Sequence, residues 1–268
     1  MPATHLEDRA VIAVAGPEAR GFLQGLITND VERLAPGTGV YAALLTPQGK
    51  ILFDFLLAEG DGAILIDCAA AARDTLAKRL SMYKLRAKVT VEARDQLAVV
   101  AAWDGAALPA DATTYPDPRV AALGQRGFLA RAGLPDALGN TAAYHAHRLA
   151  LGVPEGGDFG SDRMFALDAD LDELNAVDFK KGCYVGQELT ARMKHRGTAR
   201  KRLLAFDGAG APGDAITAGG KDIGEIAAVH GGRGFALIRL DRLAEAGDAA
   251  LLTGGGRVDL IRPDWLST

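Results

Sequence analysis

Two cysteines, Cys68 and Cys183, are all the thiol chemistry in 268 residues, and no Cys-x-x-Cys spacing joins them to anything. The two could pair, but the spacing indicates neither a disulfide framework nor a cysteine-built metal site, and it favours a reducing compartment. Aromatic residues are also scarce, at 6%, so aliphatic side chains and alanine must fill the core. No apolar run approaches the ~18 residues of a membrane span. Residues 1–9 mix charges of both signs and lack the apolar stretch of a signal peptide. Positive charge is not in excess either. A net charge of −4 argues against a wholesale nucleic-acid binder. His145 and His147 are two apart on a predicted helix and face opposite sides, so no metal site is expected from them. What remains is the expectation of a cytoplasmic protein without a membrane partner. Its 49% hydrophobic content suffices for one large domain or two to three small ones.

The β-branched run at 9–15 predicts a buried strand, and Gly16-Pro17 a helix start in which Phe22, Leu23, Leu26 and Ile27 form one stripe. Runs at 40–45 and 51–57 flank Thr46-Pro47-Gln48-Gly49-Lys50 and predict a hairpin. A strand at 62–67, a helix at 69–85 and strands at 88–93 and 97–103 follow. Residues 108–119, rich in Pro, Asp and Thr, predict a surface connection. A helix at 141–151 ends at Gly152-Val153-Pro154. Beyond Arg202 short apolar runs (203–206, 223–229, 235–238, 258–261) alternate with glycine-rich turns, the texture of a small all-β barrel or sandwich. The fold class expected is α+β, with a region over 1–200 and a β domain over 201–268.

The chemistry concentrates in Lys181-Gly182-Cys183-Tyr184-Val185-Gly186-Gln187-Glu188. Helical composition over 184–193 predicts a helix starting near Cys183. Its macrodipole, with Lys180 and Lys181, would favour the thiolate, the nucleophilic and metal-binding form. Gln187 would then share a face with Cys183. The alternative is an inert buried thiol, which suits Cys68 at the end of an apolar strand better than Cys183 among glycines and charges. Downstream, Arg192, Lys194, Arg196, Arg200, Lys201 and Arg202 run without an acidic residue. They form either an anion site or a solvated helix end.

The octapeptide resembles the signature of the YgfZ-type folate-binding proteins, relatives of the glycine-cleavage T-protein. The likeness continues through 189–202, and Phe22 to Val31, Tyr41 to Ile51 and Arg148 to Pro154 are similar to further family segments. The resemblance implies a folate-binding, aminomethyltransferase-like α+β region with a C-terminal small β-barrel. It implies tetrahydrofolate as cofactor and Cys183 as the residue that acts. Asp168 would hold the pterin, with Lys181, Tyr184, Gln187, Glu188, Arg192 and Arg196 as further cofactor-binding positions. The implied partners are iron–sulfur client enzymes, tRNA-modifying ones among them, with weak tRNA contact. Mitochondrial relatives act late in [4Fe–4S] assembly. The alternative is folate-dependent aminomethyl transfer, and whether the chain is an enzyme stays open. Two positions depart from the family. Phe165-Ala166-Leu167-Asp168 stands where Phe-Pro-x-Glu or Gln is usual, a side chain one methylene shorter. Leu52-Phe53-Asp54-Phe55 has one carboxylate where T-proteins have an Asp-Asp pair, and Asp54 also reads as a polar residue on the outer face of a strand.

Overall fold

In the computed structural model, which describes residues 2–197 and 200–267, the apolar run at 9–15 forms a strand of that length. Thr198 and Ala199, inside the basic run, and the terminal Met1 and Thr268 lie outside the described residues. Strands β1 (Ala3–His5) and β2 (Arg9–Ala15) open the chain, followed by helix α1 (Ala19–Gln24). The hairpin is present as β3 (Gly39–Leu45) and β4 (Ile51–Gly60), and β5 (Ala63–Ala69) follows. Helix α2 (Arg73–Lys84) starts after a 3-10 turn, and β6 (Thr90–Ala93) completes a five-stranded sheet in the order β3-β4-β5-β2-β6. Leu23, Ile27, Phe55, Leu57, Leu76 and Leu80 are buried in its core. Leu85, just past α2, has φ 44° and ψ −105°, a conformation that costs a branched residue about 1–3 kcal/mol.

The stretch expected to be a surface connection is structured. A second sheet runs β1-β7-β9-β8, where β7 is Leu97–Ala102, β8 Thr113–Pro116 and β9 Gln125–Ala130. Asp117, Arg119 and Arg126 are buried there because they satisfy one another. Arg119 donates to both oxygens of Asp117 (3.0 and 2.7 Å) and to the Tyr144 hydroxyl (2.7 Å). Arg126 donates to that hydroxyl (2.7 Å) and to Asp67 (2.9 Å), whose other oxygen accepts from Arg9 (2.6 Å). Hydrophilic composition misled the sequence reading because buried charges are tolerated when paired and hydrogen-bonded.

By contact density the described chain divides into two units. One comprises Met1–Leu45, Phe53–His147 and Leu174–Val185; the other comprises Thr46–Leu52, Arg148–Glu173 and Gly186–Thr268. Helix α3 (Thr141–Ala150) matches its prediction, and the short α4 (Gly156–Phe159) and α5 (Gln187–His195) follow. The C-terminal strands are β10 (Lys201–Gly208), β11 (Ala215–Ala218), β12 (Lys221–His230), β13 (Arg233–Arg239), β14 (Leu251–Thr253) and β15 (Gly256–Ile261). They close into a barrel in the order β10-β13-β12-β11-β14-β15, because β10 pairs with both β13 and β15. Closure removes every free edge. Phe206, Ile216, Ile223, Ile226, Ile238 and Val258 fill the interior. The short β11 and β14 and helix α6 (Leu240–Ala246) went unread in the sequence.

Candidate functional site

The octapeptide is held at its lysine. Asp178, buried, accepts from the backbone N–H groups of Lys180 (2.6 Å) and Lys181 (3.0 Å) and from Arg33 (2.5 Å). This turn aims the Lys181 side chain at the C-terminal end of α1. There its ammonium donates to the carbonyls of Gln24 (2.8 Å), Ile27 (2.7 Å) and Asn29 (2.8 Å). The Gln24 carbonyl, at the helix end, lacks an intrahelical partner, and those of Ile27 and Asn29 lie in the segment that follows, so one cation serves three carbonyls at once. Tyr184 is buried with its ring centroid 5.2 Å from the same nitrogen, a cation–π contact. Burial pushes the Lys181 ammonium down to about 8, against the pull of Asp30 and Asp178. All three N–H groups go to carbonyls, so the expected ligand contact by Lys181 is replaced by an anchoring role.

Residues the sequence reading missed complete this anchor. The Asn29 amide donates to the carbonyls of Tyr41 (2.7 Å) and Asn175 (2.6 Å), and the Thr28 hydroxyl to that of Ala176 (2.6 Å). The clue was the polar triplet Thr28-Asn29-Asp30 after an apolar run, and the polar Asn175 and Asp178 flanking Ala176 and Val177. Their pairing spans nearly 150 residues of chain, which periodicity does not register.

Between the pinned Lys181 and Tyr184, Gly182 and Cys183 are exposed. Cys183 is not at a helix start. The helix begins four residues later at Gln187, after Gly186 with φ +83°. The macrodipole therefore does not act on the thiol, and the shared face with Gln187 does not exist. Tyr184 under the lysine and Val185 packed against the core hold this stretch outside the helix, which starts only after the turn at Val185 and Gly186. Cys68 is buried, and burial pushes its thiol up to about 12, the inert behaviour expected of it.

In the second unit α5 carries Glu188 in its first turn and Arg192, Lys194 and His195 in its last, the polarity its dipole favours. The hairpin turn packs on this helix, and a Cβ on Gly49 would come within 3.3 Å of the Leu189 Cβ. The basic run divides. Arg202 is buried, hydrogen-bonded to Asp172 (2.8 Å) and to the Leu167 carbonyl, and Lys194 pairs with Asp172 (3.0 Å). Arg192, Arg196, Arg200 and Lys201 are exposed. Asp168 lies on a loop that follows the hairpin, to which it is joined by Ile51 N–H to Met164 O (2.9 Å) and Asp162 N–H to Ile51 O (2.7 Å). Asp168 is half-buried, and its carboxyl makes no hydrogen bond among the described residues. Burial pushes it up to about 6 despite Lys201 and Arg202 nearby. Asp54 is buried rather than on an outer face, and the Tyr41 hydroxyl donates to it at 3.0 Å.

The Asp168 shift gives a signed expectation. A carboxyl raised above its unfolded value stabilises below about 4 and loses that contribution as pH rises to about 6. Asp168→Asn is therefore expected to be about 1–2 kcal/mol more stable than the parent at pH 7, after a discount for partial exposure. The gain should vanish near pH 4. Urea unfolding at the two pH values checks this, and equal stability at pH 7 would contradict it.

Three cavities lie within single units, and none is lined by Cys183 or Asp168. One of about 550 Å³ is bounded by Gly16, Arg20 and Glu59, one of about 620 Å³ by Trp103 and residues 105–110, and one of about 360 Å³ by Lys221, Asp222 and Arg242.

Residues 6–105 match the family described as GCVT N-terminal domain, and residues 200–268 the CAF17 C-terminal beta-barrel domain. The solved structure of the glycine cleavage system aminomethyltransferase T from Bartonella henselae superposes with a TM-score of 0.77. It covers 98% of this chain and 86% of its own at 17% identity, a likeness of fold. The aminomethyltransferase-like α+β fold with a barrel is thereby established. Iron-sulfur cluster assembly factor IBA57, mitochondrial, is 35% identical in Mus musculus and 34% in Homo sapiens, each covering 98% of this chain and 85% of the relative. The Neurospora crassa homolog is 35% identical over 75% of the chain, which spans about half (52%) of that longer relative. These relatives are mitochondrial by name, which overturns the cytoplasmic expectation. They also correct the family expected from the octapeptide: the relatives are IBA57 factors, kin of the YgfZ type but not YgfZ proteins themselves. The chain belongs to the family of the IBA57 iron–sulfur cluster assembly factors.

Proposed function

We propose that the chain is an accessory factor for assembly or repair of iron–sulfur enzymes and presents Cys183 to the cluster cargo or its client. The observation that carries this is an exposed thiol on a loop pinned two residues before it by Lys181 and one residue after it by Tyr184. Thiolate sulfur is a soft ligand suited to iron, and a loop ordered beforehand loses little freedom on engaging it. The names of the family's relatives support the same reading.

Tetrahydrofolate is the cofactor of this proposal. The half-buried Asp168 carboxyl fits the N–H edge of a pterin. The exposed Arg192 and Arg196 fit a carboxylate tail, with Gln187 and Glu188 beside them on α5. Bound there, the folate would supply one-carbon carrier chemistry. Clients would include tRNA-modifying enzymes, with the exposed cations giving weak, salt-sensitive tRNA contact. Aminomethyl transfer is the weaker reading, because Asp54 lies buried against Tyr41 and the second family carboxylate is replaced by Phe53.

The test joins calorimetric titration of tetrahydrofolate with a [4Fe–4S] client's activity in cells lacking the endogenous relative. Cys183→Ala is expected to bind folate like the parent while client activity falls to the level without added protein. Full client activity with Cys183→Ala would end the cysteine role, and absent titration heat would end the folate role.

A further inference from the structure

Between Asp74 and Glu92 the chain carries Lys78, Arg79, Lys84, Arg86 and Lys88 and no carboxylate, in a protein of net charge −4. This segment is the second half of α2 and the turn into β6. Leu76, Leu80 and Tyr83, spaced by four and three, pack into the core of the first unit. Lys78 and Met82 lie two residues on from Leu76 and Leu80 and therefore face away from the core, and Leu85 follows directly after the last helical residue. Met82 is 62% exposed and Leu85 89%. The remaining exposed large hydrophobic among the described residues is Leu252.

Two further features single the tip out. Leu85 holds its exposed position with φ 44°, so the fold keeps an unfavourable backbone angle there and recovers no burial for it. None of the five cations makes an ion pair among the described residues, whereas Arg73 at the start of the same helix pairs with Asp74 and Asp95.

We propose that this tip docks on an anionic membrane surface, with Met82 and Leu85 entering the acyl boundary and the five cations meeting lipid phosphates. Charge complementarity selects the occupant. Three of the five cations are lysines, which are depleted at protein interfaces but serve well against anionic lipid. A nucleic-acid partner would leave two aliphatic side chains against phosphate and sugar. Two exposed apolar side chains at a helix end among these cations combine insertion into the acyl boundary with attraction to anionic headgroups. The described helices hold no membrane span, which bears on crossing a bilayer and not on resting against one. This revises the expectation of no membrane partner.

Vesicle sedimentation tests the proposal with the full chain. It is expected to partition at least about tenfold more strongly onto phosphatidylcholine vesicles containing about one third phosphatidylglycerol than onto phosphatidylcholine alone, and to be released by salt. The double variant M82S/L85S should lose about tenfold or more of that binding, and K84Q/R86Q a comparable factor. Both pairs are at the surface, so the parent's melting temperature should be kept. L85W supplies a readout independent of those variants, its indole emission shifting to the blue on anionic vesicles only. Equal partitioning of the parent and M82S/L85S, no blue shift in L85W, or binding to an RNA oligonucleotide or acidic polypeptide without vesicle binding would each overturn the proposal.

Discussion

Lys181→Met is expected to destabilise the protein by about 2–3 kcal/mol and to abolish client support although Cys183 is untouched. The ammonium serves the carbonyls of Gln24, Ile27 and Asn29 together. Methionine keeps most of the apolar stem and removes all three donors. A fully buried loss would cost more, but this site is half-buried and water can replace part of it. Arginine should not rescue the defect. Its planar guanidinium keeps the charge but cannot converge three N–H groups as a tetrahedral ammonium does. The cation–π contact to Tyr184 disappears with the charge in the methionine variant, releasing the far side of the cysteine loop. Urea unfolding of the parent, Lys181→Met and Lys181→Arg gives the stability, and client activity the loop's contribution. A methionine variant with parental stability and parental client activity would refute the anchor.

What could be read in the sequence was what local pattern controls. Residues 9–15 announced their strand through a β-branched run, and Thr46 to Lys50 their turn through Pro47 and Gly49. The barrel was legible from short apolar runs between glycines, although β11 and β14, only 4 and 3 residues long, gave too little period to read. Cys183 was picked out correctly as exposed and out of place in a core. Its mechanism was misread, because helix composition at 184–193 ignored the pinning of Lys181 on the segment after α1 and the packing of Val185 on the core, which keep 181–186 out of the helix. Lys181 was given a ligand role by the resemblance and a charge role toward the Cys183 thiol, and only the approach of the segment after α1 shows its charge used on backbone carbonyls. In each miss the deciding partner lay far along the chain.

The same limit hid the buried charge network of the first unit, and Arg126→Met is expected to expose it with a loss of about 3–5 kcal/mol. Arg126 is fully buried on β9 and bridges Asp67 of β5 to the Tyr144 hydroxyl of α3. Its removal leaves Asp67 with Arg9 alone and places Asp117, 3.8 Å from the lost guanidinium, against Arg119 only. The substitution fills most of the volume, so the loss reports unbalanced charge rather than a cavity. A whole domain is stable by only about 5–15 kcal/mol, so the variant should unfold at far lower denaturant. Arg233→Met breaks a pair of similar geometry, at 2.6 and 2.9 Å to Asp207, on the barrel surface. There water screens both partners, and the expected loss is under about 1 kcal/mol. Urea unfolding of the two variants side by side separates burial from geometry as the source of the effect. An Arg126 loss no larger than the Arg233 loss would mean that solvent reaches the network and that its burial does not decide the stability of the sheet carrying β8 and β9.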